Sequence, residues 1–282
     1  MKMSTVDKTT SQAKQRIFLY TGNMFGKAKK SLGQNFLKSP KILADIVAAG
    51  KITGNDTVLE IGPGRGALTR ALLATGARVI AIEKDDALIA ELESLFIEEI
   101  TSQKLTLLHG DILECDPTDF DVLSRKYKVV ANIPYYITGA IIEHLLSSSH
   151  QPTSATLLVQ KEVAERIVAR DNKESLLSIS VKAYCEPSYA FTVKRNQFRP
   201  APNVDSAVVH LAAISKKQFI TISEERFFTV VKAGFAHRRK QLGNNLEGII
   251  AKEKWSDCMI TPQARAENLS VAEWICLAKG EA

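Results

Sequence analysis

The segment that most restricts the fold is Thr57-Val-Leu-Glu-Ile61 followed at once by Gly62-Pro-Gly-Arg-Gly66 and a helical pattern over 67–75, closed by Gly76. A short apolar run that breaks into a glycine turn and re-forms as a helix is the opening of a βαβ unit. The pattern repeats. Arg78–Glu83 reads as a strand, and Asp86–Ile100 as one helix with Leu88, Ile89, Leu92, Leu95 and Phe96 on one face. Leu105–Leu108, Lys128–Ile133 and Ala155–Val159 are further strands, the last leading into a helix from Lys161 to Ala169. Alternation of this kind predicts an α/β fold with a mostly parallel sheet, covered on both faces. Tyr189–Lys194 and Ser206–Leu211 are predicted as late strands added at a sheet edge. Past 213 only helical patterns remain, over 223–236, 238–251, 261–266 and 270–279.

Ligands in such sheets sit beyond the C-terminal strand ends, at the point where strand order reverses. Polar groups stand at these ends: the Gly62–Gly66 turn, Glu83, Asp111 and Asn132. Glycine lets the backbone approach a ligand without Cβ interference. Glu83, nineteen residues after Gly64, is placed to accept from both hydroxyls of a ribose, and Asp111 from an adenine amine. Gly62-Pro-Gly-Arg-Gly-Ala67 also satisfies the G-x-G-x-x-G/A dinucleotide pattern, so a nicotinamide oxidoreductase stays open on these residues alone.

The fourth strand ends in Asn132-Ile-Pro-Tyr-Tyr136. Pro134 fixes its own φ and disfavours a helical Ile133, giving a rigid loop that can aim the Asn132 amide oxygen and a backbone carbonyl at one point. Two converging acceptors suit an exocyclic amine such as adenine N6, because they stabilise the positive charge that grows as the nitrogen attacks an electrophile. Tyr135 offers a π-face for a base, worth about 1–3 kcal/mol.

Charge distribution points to a polyanion. Residues 1–51 sum to +8 and residues 194–240 to +7, within a chain of net +6. No run approaches the roughly 18 apolar residues of a membrane span. The first residues lack the apolar core of a secretory signal and read as a disordered basic arm. Cys115, Cys185, Cys258 and Cys276 show no C-x-x-C pairing, which argues against a zinc site and against a disulfide framework, and fits a reducing cytosol.

Nine motifs in order complete the reading: Ser31-Leu-Gly-Gln-Asn-Phe-Leu37, Glu60-Ile-Gly-Pro-Gly-Arg-Gly66, Ile82-Glu-Lys-Asp85, Gly110-Asp111, Asn132-Ile-Pro-Tyr135, Leu158-Val-Gln-Lys-Glu-Val163, Phe198-Arg-Pro-Ala-Pro-Asn-Val-Asp-Ser206, Phe235-Ala-His-Arg-Arg-Lys240 and Arg265-Ala-Glu-Asn-Leu-Ser270. With these the sequence resembles the ribosomal RNA adenine dimethyltransferase family, most closely its small-subunit branch. The resemblance implies a Rossmann-like class I methyltransferase sheet with a small helical C-terminal domain, here a basic arm over 1–26, the catalytic domain over 27–212 and the helical domain over 213–282. It implies S-adenosyl-L-methionine as methyl donor. Gln34, Asn35 and Leu37 would close the cofactor site, Gly62 would lie on the methionine part, Glu83 on the ribose and Asp111 on the adenine, with Asn132 also among the cofactor-binding residues. Asn132 and Pro134 would grip the target amine, with Tyr135 and Phe198 as two faces of a clamp on a flipped base. Lys27, Lys29, Lys30, Arg238, Arg239 and Lys240 are the candidate RNA contacts.

The expected substrate is small-subunit ribosomal RNA within an immature small ribosomal subunit, dimethylated at N6 of two adjacent adenosines in the 3′-terminal hairpin. A cytoplasmic monomer without metal or membrane partner is expected. Rival readings are a large-subunit methylase of the macrolide-resistance type, a DNA N6-adenine methyltransferase, which would carry N-P-P-Y where this chain has Ile133, and a mainly non-catalytic ribosome-assembly factor. The chain departs from the small-subunit pattern at Lys173-Glu-Ser-Leu-Leu-Ser178, where Tyr-Gly usually precedes Leu-Ser, and at Lys182 in place of Gln.

Overall fold

The computed structural model describes residues 34–115, 126–237 and 239–279. In chain order these form β1 (Phe36–Leu37), α1 (Pro40–Ala49), β2 (Thr57–Ile61), α2 (Ala67–Leu73), β3 (Arg78–Glu83), α3 (Asp86–Leu95), α4 (Ile97–Thr101), β4 (Leu105–His109) and β5 (Lys128–Asn132). There follow α5 (Thr138–Ser147), β6 (Ser154–Gln160), α6 (Lys161–Val168), α7 (Leu176–Lys182), β7 (Glu186–Val193), β8 (Phe198–Arg199) and β9 (Ser206–Ala212), then α8 (Glu224–Gly234), α9 (Leu242–Asn245), α10 (Lys252–Asp257) and α11 (Val271–Ala278).

Seven strands make one sheet in the order β4-β3-β2-β5-β6-β9-β7. The first five run parallel, and β9 is antiparallel to both β6 and β7. The central strands are apolar on both faces because both are buried. Leu59, Ile61, Ile80, Ile82, Val129 and Ala131 enter one core, Val58, Val79, Ala81 and Val130 the other. The late pair forms at the sheet edge as expected: β9 lies against β6, and β7 pairs antiparallel with β9 as the outermost strand. Strand order reverses between β2 and β5, so the crevice of the sheet opens above Gly62, Glu83, Asp111 and Asn132.

Several expected elements change. The single helix over 86–100 splits at Phe96, whose backbone leaves the helical region (φ −118°, ψ 29°) and whose fully buried ring lies under the glycine turn. A Cβ at Gly66 (φ +74°) would stand 2.4 Å from Phe96 Cε2. Gly66→Ala should therefore destabilise the fold by about 2–4 kcal/mol, through strain and overpacking together. A urea melt reads this directly.

Among the last residues the helices expected over 238–251 and 261–266 are not formed. Gly248 (φ +72°) interrupts the first, leaving only the short α9. Residues 261–264 serve instead as a strap, with Leu242 N–H donating to the Ala264 carbonyl and Gly243 N–H to that of Pro262, both at 2.8 Å. The unforeseen α10 follows α9.

The structure also overturns the expectation of no disulfide. Cys258 and Cys276, 18 residues apart, are bonded with Cα atoms 5.8 Å apart, because α11 folds back beside the end of α10. Spacing along the chain carries no signal for such a pair, while Cys115 and Cys185 form no disulfide. Phe227, Val230, Val231, Trp274 and Leu277 share one buried cluster with Tyr184 and the sheet, so these helices pack on the sheet's own core.

Lys182, one of the departures, ion-pairs with Glu174 at 2.5 Å, and Lys173 lies 3.9 Å from Glu267. Ser175 and Ser178 between them make a reciprocal cap for α7. The altered segment thus has its own polar bracing.

Candidate active site

A cleft of about 340 Å³ lies at the strand-order reversal. Gly62, Gly64 and Gly66 all have positive φ, which the turn needs in order to pass from β2 into α2 within five residues. A Cβ at Gly62 would meet nothing within 4 Å, so its backbone faces open cleft. At Gly64 a Cβ would stand 3.0 Å from the Phe36 ring, which covers the turn from the β1 side.

Glu83 is 7% exposed and its carboxylate is aimed by three backbone donors. Oε2 accepts from Gly64 N–H at 3.1 Å, and Oε1 from Lys84 and Asp85 N–H, each at 2.9 Å. It therefore ties the glycine turn to the end of β3. Burial raises its pKa, against the pull of those hydrogen bonds. Asp111 caps the following turn through Oδ1 to Leu113 N–H at 3.1 Å, and its Oδ2 pairs with Lys84 Nζ at 2.6 Å. The lysine contact holds its pKa below the usual carboxylate range.

Asn132 ends β5 and its Nδ2 donates to the Asn35 carbonyl at 3.0 Å. That bond ties the Gln34–Leu37 segment to the β5 end and leaves the amide oxygen as the acceptor. Gln34 donates to Asp85 Oδ2 at 2.9 Å, fixing the same segment to the start of α3. Past Asn132, the Pro134 carbonyl accepts within its own turn from Ile137 N–H at 3.2 Å and the Thr138 hydroxyl at 3.4 Å. The Tyr135 hydroxyl meets Ser206 Oγ at 2.6 Å, which anchors the ring from β9. Burial raises its pKa, so the phenol stays neutral.

The cleft thus gathers Gln34, Asn35, Leu37, Gly62, Glu83, Asp111, Asn132, Pro134 and Tyr135. Phe198 is not with them. It is 3% exposed, opposite Leu37 in the two-stranded β1–β8 ribbon and packed in the core with Val193 and Val208, while its neighbour Arg199 lines the cleft. Arg239 and Lys240 are exposed on the turn after α8, which Asn245 braces through the Gly234 and His237 carbonyls. Lys27, Lys29, Lys30 and Arg238 lie outside the described residues, as does the whole basic arm.

The lining residues that went unremarked as individuals in the sequence include Phe36, Lys38, Glu60, Arg65, Lys84 and Arg199. Glu60 is 1% exposed, and Thr69 is the hydrogen-bonding residue that faces its carboxyl. Burial pushes its carboxyl up to about 8, with Glu83 adding to the shift. Its place in an otherwise apolar strand was the one available signal.

Residues 25–280 match the family model described as ribosomal RNA adenine dimethylase. The chain belongs to this family. The ribosomal RNA small subunit methyltransferase A of Dehalococcoides mccartyi (strain CBDB1) is 40% identical over 275 residues, covering 95% of this chain and 92% of the relative. The protein of the same name from Enterococcus faecalis (strain ATCC 700802 / V583) is 41% identical over 261 residues, covering 87% and 88%. Among solved structures, a dimethyladenosine transferase from Plasmodium falciparum superposes with TM-score 0.71 at 29% identity, covering 86% of this chain and 95% of that one. The 23S rRNA methyltransferase ErmE gives TM-score 0.68 at 25% identity, covering 86% and 98%. This family member is therefore a ribosomal RNA methyltransferase of the class I type, and the nicotinamide reading of the glycine turn falls away. The glycine turn open to the cleft and the fixed Glu83 carboxylate fit the S-adenosylmethionine that such enzymes use. Among the described residues no helix is long and apolar enough to cross a membrane, and no cluster of three or more His, Cys, Asp or Glu could hold a metal.

Proposed function

We propose that the chain dimethylates N6 of two adjacent adenosines in the 3′-terminal hairpin loop of small-subunit ribosomal RNA. It would act as a cytoplasmic monomer on the immature small subunit. The observation that carries this is the Asn132 amide: its nitrogen is spent on Asn35, so its oxygen is turned to accept from an amine. The Pro134 carbonyl is already engaged in its turn, which leaves the Ile133 carbonyl as the second acceptor.

S-Adenosylmethionine supplies the electrophilic methyl group. Glu83 would hold the ribose, Asp111 the adenine amine and Gly62 the methionine part, with Gln34, Asn35 and Leu37 as the cover. Asn132 would orient N6 of the target and stabilise the charge developing on it. No strong base is required, because the amine proton becomes acidic only after the methyl is on. Tyr135, anchored at Ser206, would stack on the flipped adenine. For Phe198 to provide the opposite face, the β1–β8 ribbon would have to present it from its buried position. We assign catalysis to 27–212 and, to 213–282, RNA contact through Arg238, Arg239 and Lys240, with Lys27, Lys29 and Lys30 on the approach to the cleft.

The names and identities of the relatives favour the small-subunit branch over the macrolide-resistance type. The test is incubation with labelled S-adenosylmethionine and immature small subunits lacking the modification, followed by nucleoside mapping by mass spectrometry. Dimethyladenosine at two adjacent 3′-hairpin positions is expected. Transfer only to large-subunit RNA would move the chain to the other branch. Tight subunit binding without any transfer would make it an assembly factor.

A further inference from the structure

Four cationic side chains line the cleft: Lys38, Arg65, Lys84 and Arg199. Two are engaged within the protein. The Arg65 guanidinium lies over the Phe36 ring, 4.6 Å from its centroid, and Lys84 pairs with Asp111. Lys38 and Arg199 are exposed, and neither side chain has an ion pair or hydrogen bond among the described residues.

The backbone places this second pair deliberately close. In the β1–β8 ribbon, Leu37 and Phe198 are opposite each other and both buried, 7% and 3% exposed. The members of the other opposed pair, Phe36 and Arg199, both line the cleft. Lys38 continues β1, its N–H bonded to the Gln197 carbonyl at 3.1 Å. The nearby cations are treated differently. Asp205 pairs with Lys194 at 3.0 Å and accepts from the Arg195 N–H at 2.9 Å. An acid is thus available beside β8 and is used on its neighbours, while Arg199 is left unneutralised at the cleft mouth.

We infer that Arg199, with Lys38 beside it on the β1–β8 ribbon, is a positioning anchor for the RNA phosphate flanking the nucleotide drawn into the cleft. The inference rests on the ribosomal RNA substrate proposed above. A base that leaves its stack brings its own flanking phosphates to the rim of the pocket that receives it. A guanidinium fork matches two phosphate oxygens at once, and an ammonium adds a point charge. The ribbon also carries Leu37, which lines the cleft, so a phosphate held on Arg199 would set the position of the strand that covers the site.

The experiment measures equilibrium binding of the wild type, Arg199→Gln, Arg199→Lys and Lys38→Gln to small subunits lacking the modification, without cofactor, across a potassium chloride series. S-Adenosylmethionine affinity is measured separately by calorimetry, and melting temperatures check folding. Arg199→Gln is expected to weaken RNA binding about 5–10-fold and to lower the log–log salt slope by about 0.7–0.9, the signature of one lost phosphate contact. Lys38→Gln should act in the same direction, Arg199→Lys should recover part of the loss, and cofactor affinity should be unchanged. Unchanged RNA affinity and slope in folded Arg199→Gln would overturn the anchor while leaving the substrate reading intact. Loss of cofactor affinity instead would assign the guanidinium to the cofactor carboxylate and overturn it too. A wild type that does not bind the subunit would sink both this inference and the function on which it rests.

Discussion

Asn132→Ala is expected to lower methyl transfer by about 10³-fold while S-adenosylmethionine affinity changes by no more than about threefold. Removing one preorganised polar group that meets developing charge costs about 10²–10³-fold in other enzymes. Here the same group also positions the attacking nitrogen, so the upper end of that range applies. The cofactor should be nearly indifferent, because Glu83 is held by backbone donors from Gly64, Lys84 and Asp85, and none of these depends on Asn132. The one shared link is the bond to the Asn35 carbonyl, and Gln34 remains tied to Asp85 when it is lost. Single-turnover rates on immature subunits, set beside calorimetric cofactor titration, separate the two quantities. Near-normal transfer by the variant would remove Asn132 from the chemistry.

Glu60→Gln should stabilise the protein increasingly as pH rises, by on the order of 4 kcal/mol at pH 8. Burial away from water disfavours the ionised form of its carboxyl by more than the Thr69 hydrogen bonds favour it. In the fold its pKa stands at about 8, against 4.5 for the free side chain. Below pH 4.5 both folded and unfolded states carry the proton and Glu60 costs nothing through this route. Between 4.5 and 8 the unfolded chain ionises first, so stability falls by about 1.4 kcal/mol for each pH unit; above 8 the penalty is constant. Glutamine keeps the shape and cannot ionise. Urea melts at pH 5 and pH 8.5 should therefore give nearly equal midpoints for wild type and variant at the lower pH and a clear advantage for Glu60→Gln at the higher. Equal midpoints at both would mean that Glu60 finds a compensating partner on folding.

The parts of the fold legible in the sequence are those set by local rules. The glycine turn and the apolar strands depend on residues within a few positions of one another. The strand-end residues Gly62, Glu83, Asp111 and Asn132 followed from the same logic, because a parallel sheet delivers its C-terminal ends to one rim. The last seventy residues were less legible: apolar spacing over 238–251 looks helical, yet the positive φ of Gly248 and the strap at 261–264, bonded to Leu242 and Gly243, break it. The Cys258–Cys276 bond belongs to the same category.

By itself the sequence determined the α/β class, the order of the polar groups around the cleft and, through its motifs, the family, since each is written in short stretches whose chemistry is local. Tertiary structure alone decided that Phe198 faces the core while Arg199 faces the cleft, that Phe36 roofs the glycine turn, that the Asn132 nitrogen is taken by Asn35, and that Glu60 is buried beside Glu83. The physical reason is common to all four. Which face a side chain shows, and which atom of it is taken, depends on partners far along the chain, as with Asn132 and Asn35, 97 residues apart, and a one-residue change in strand register would reverse it.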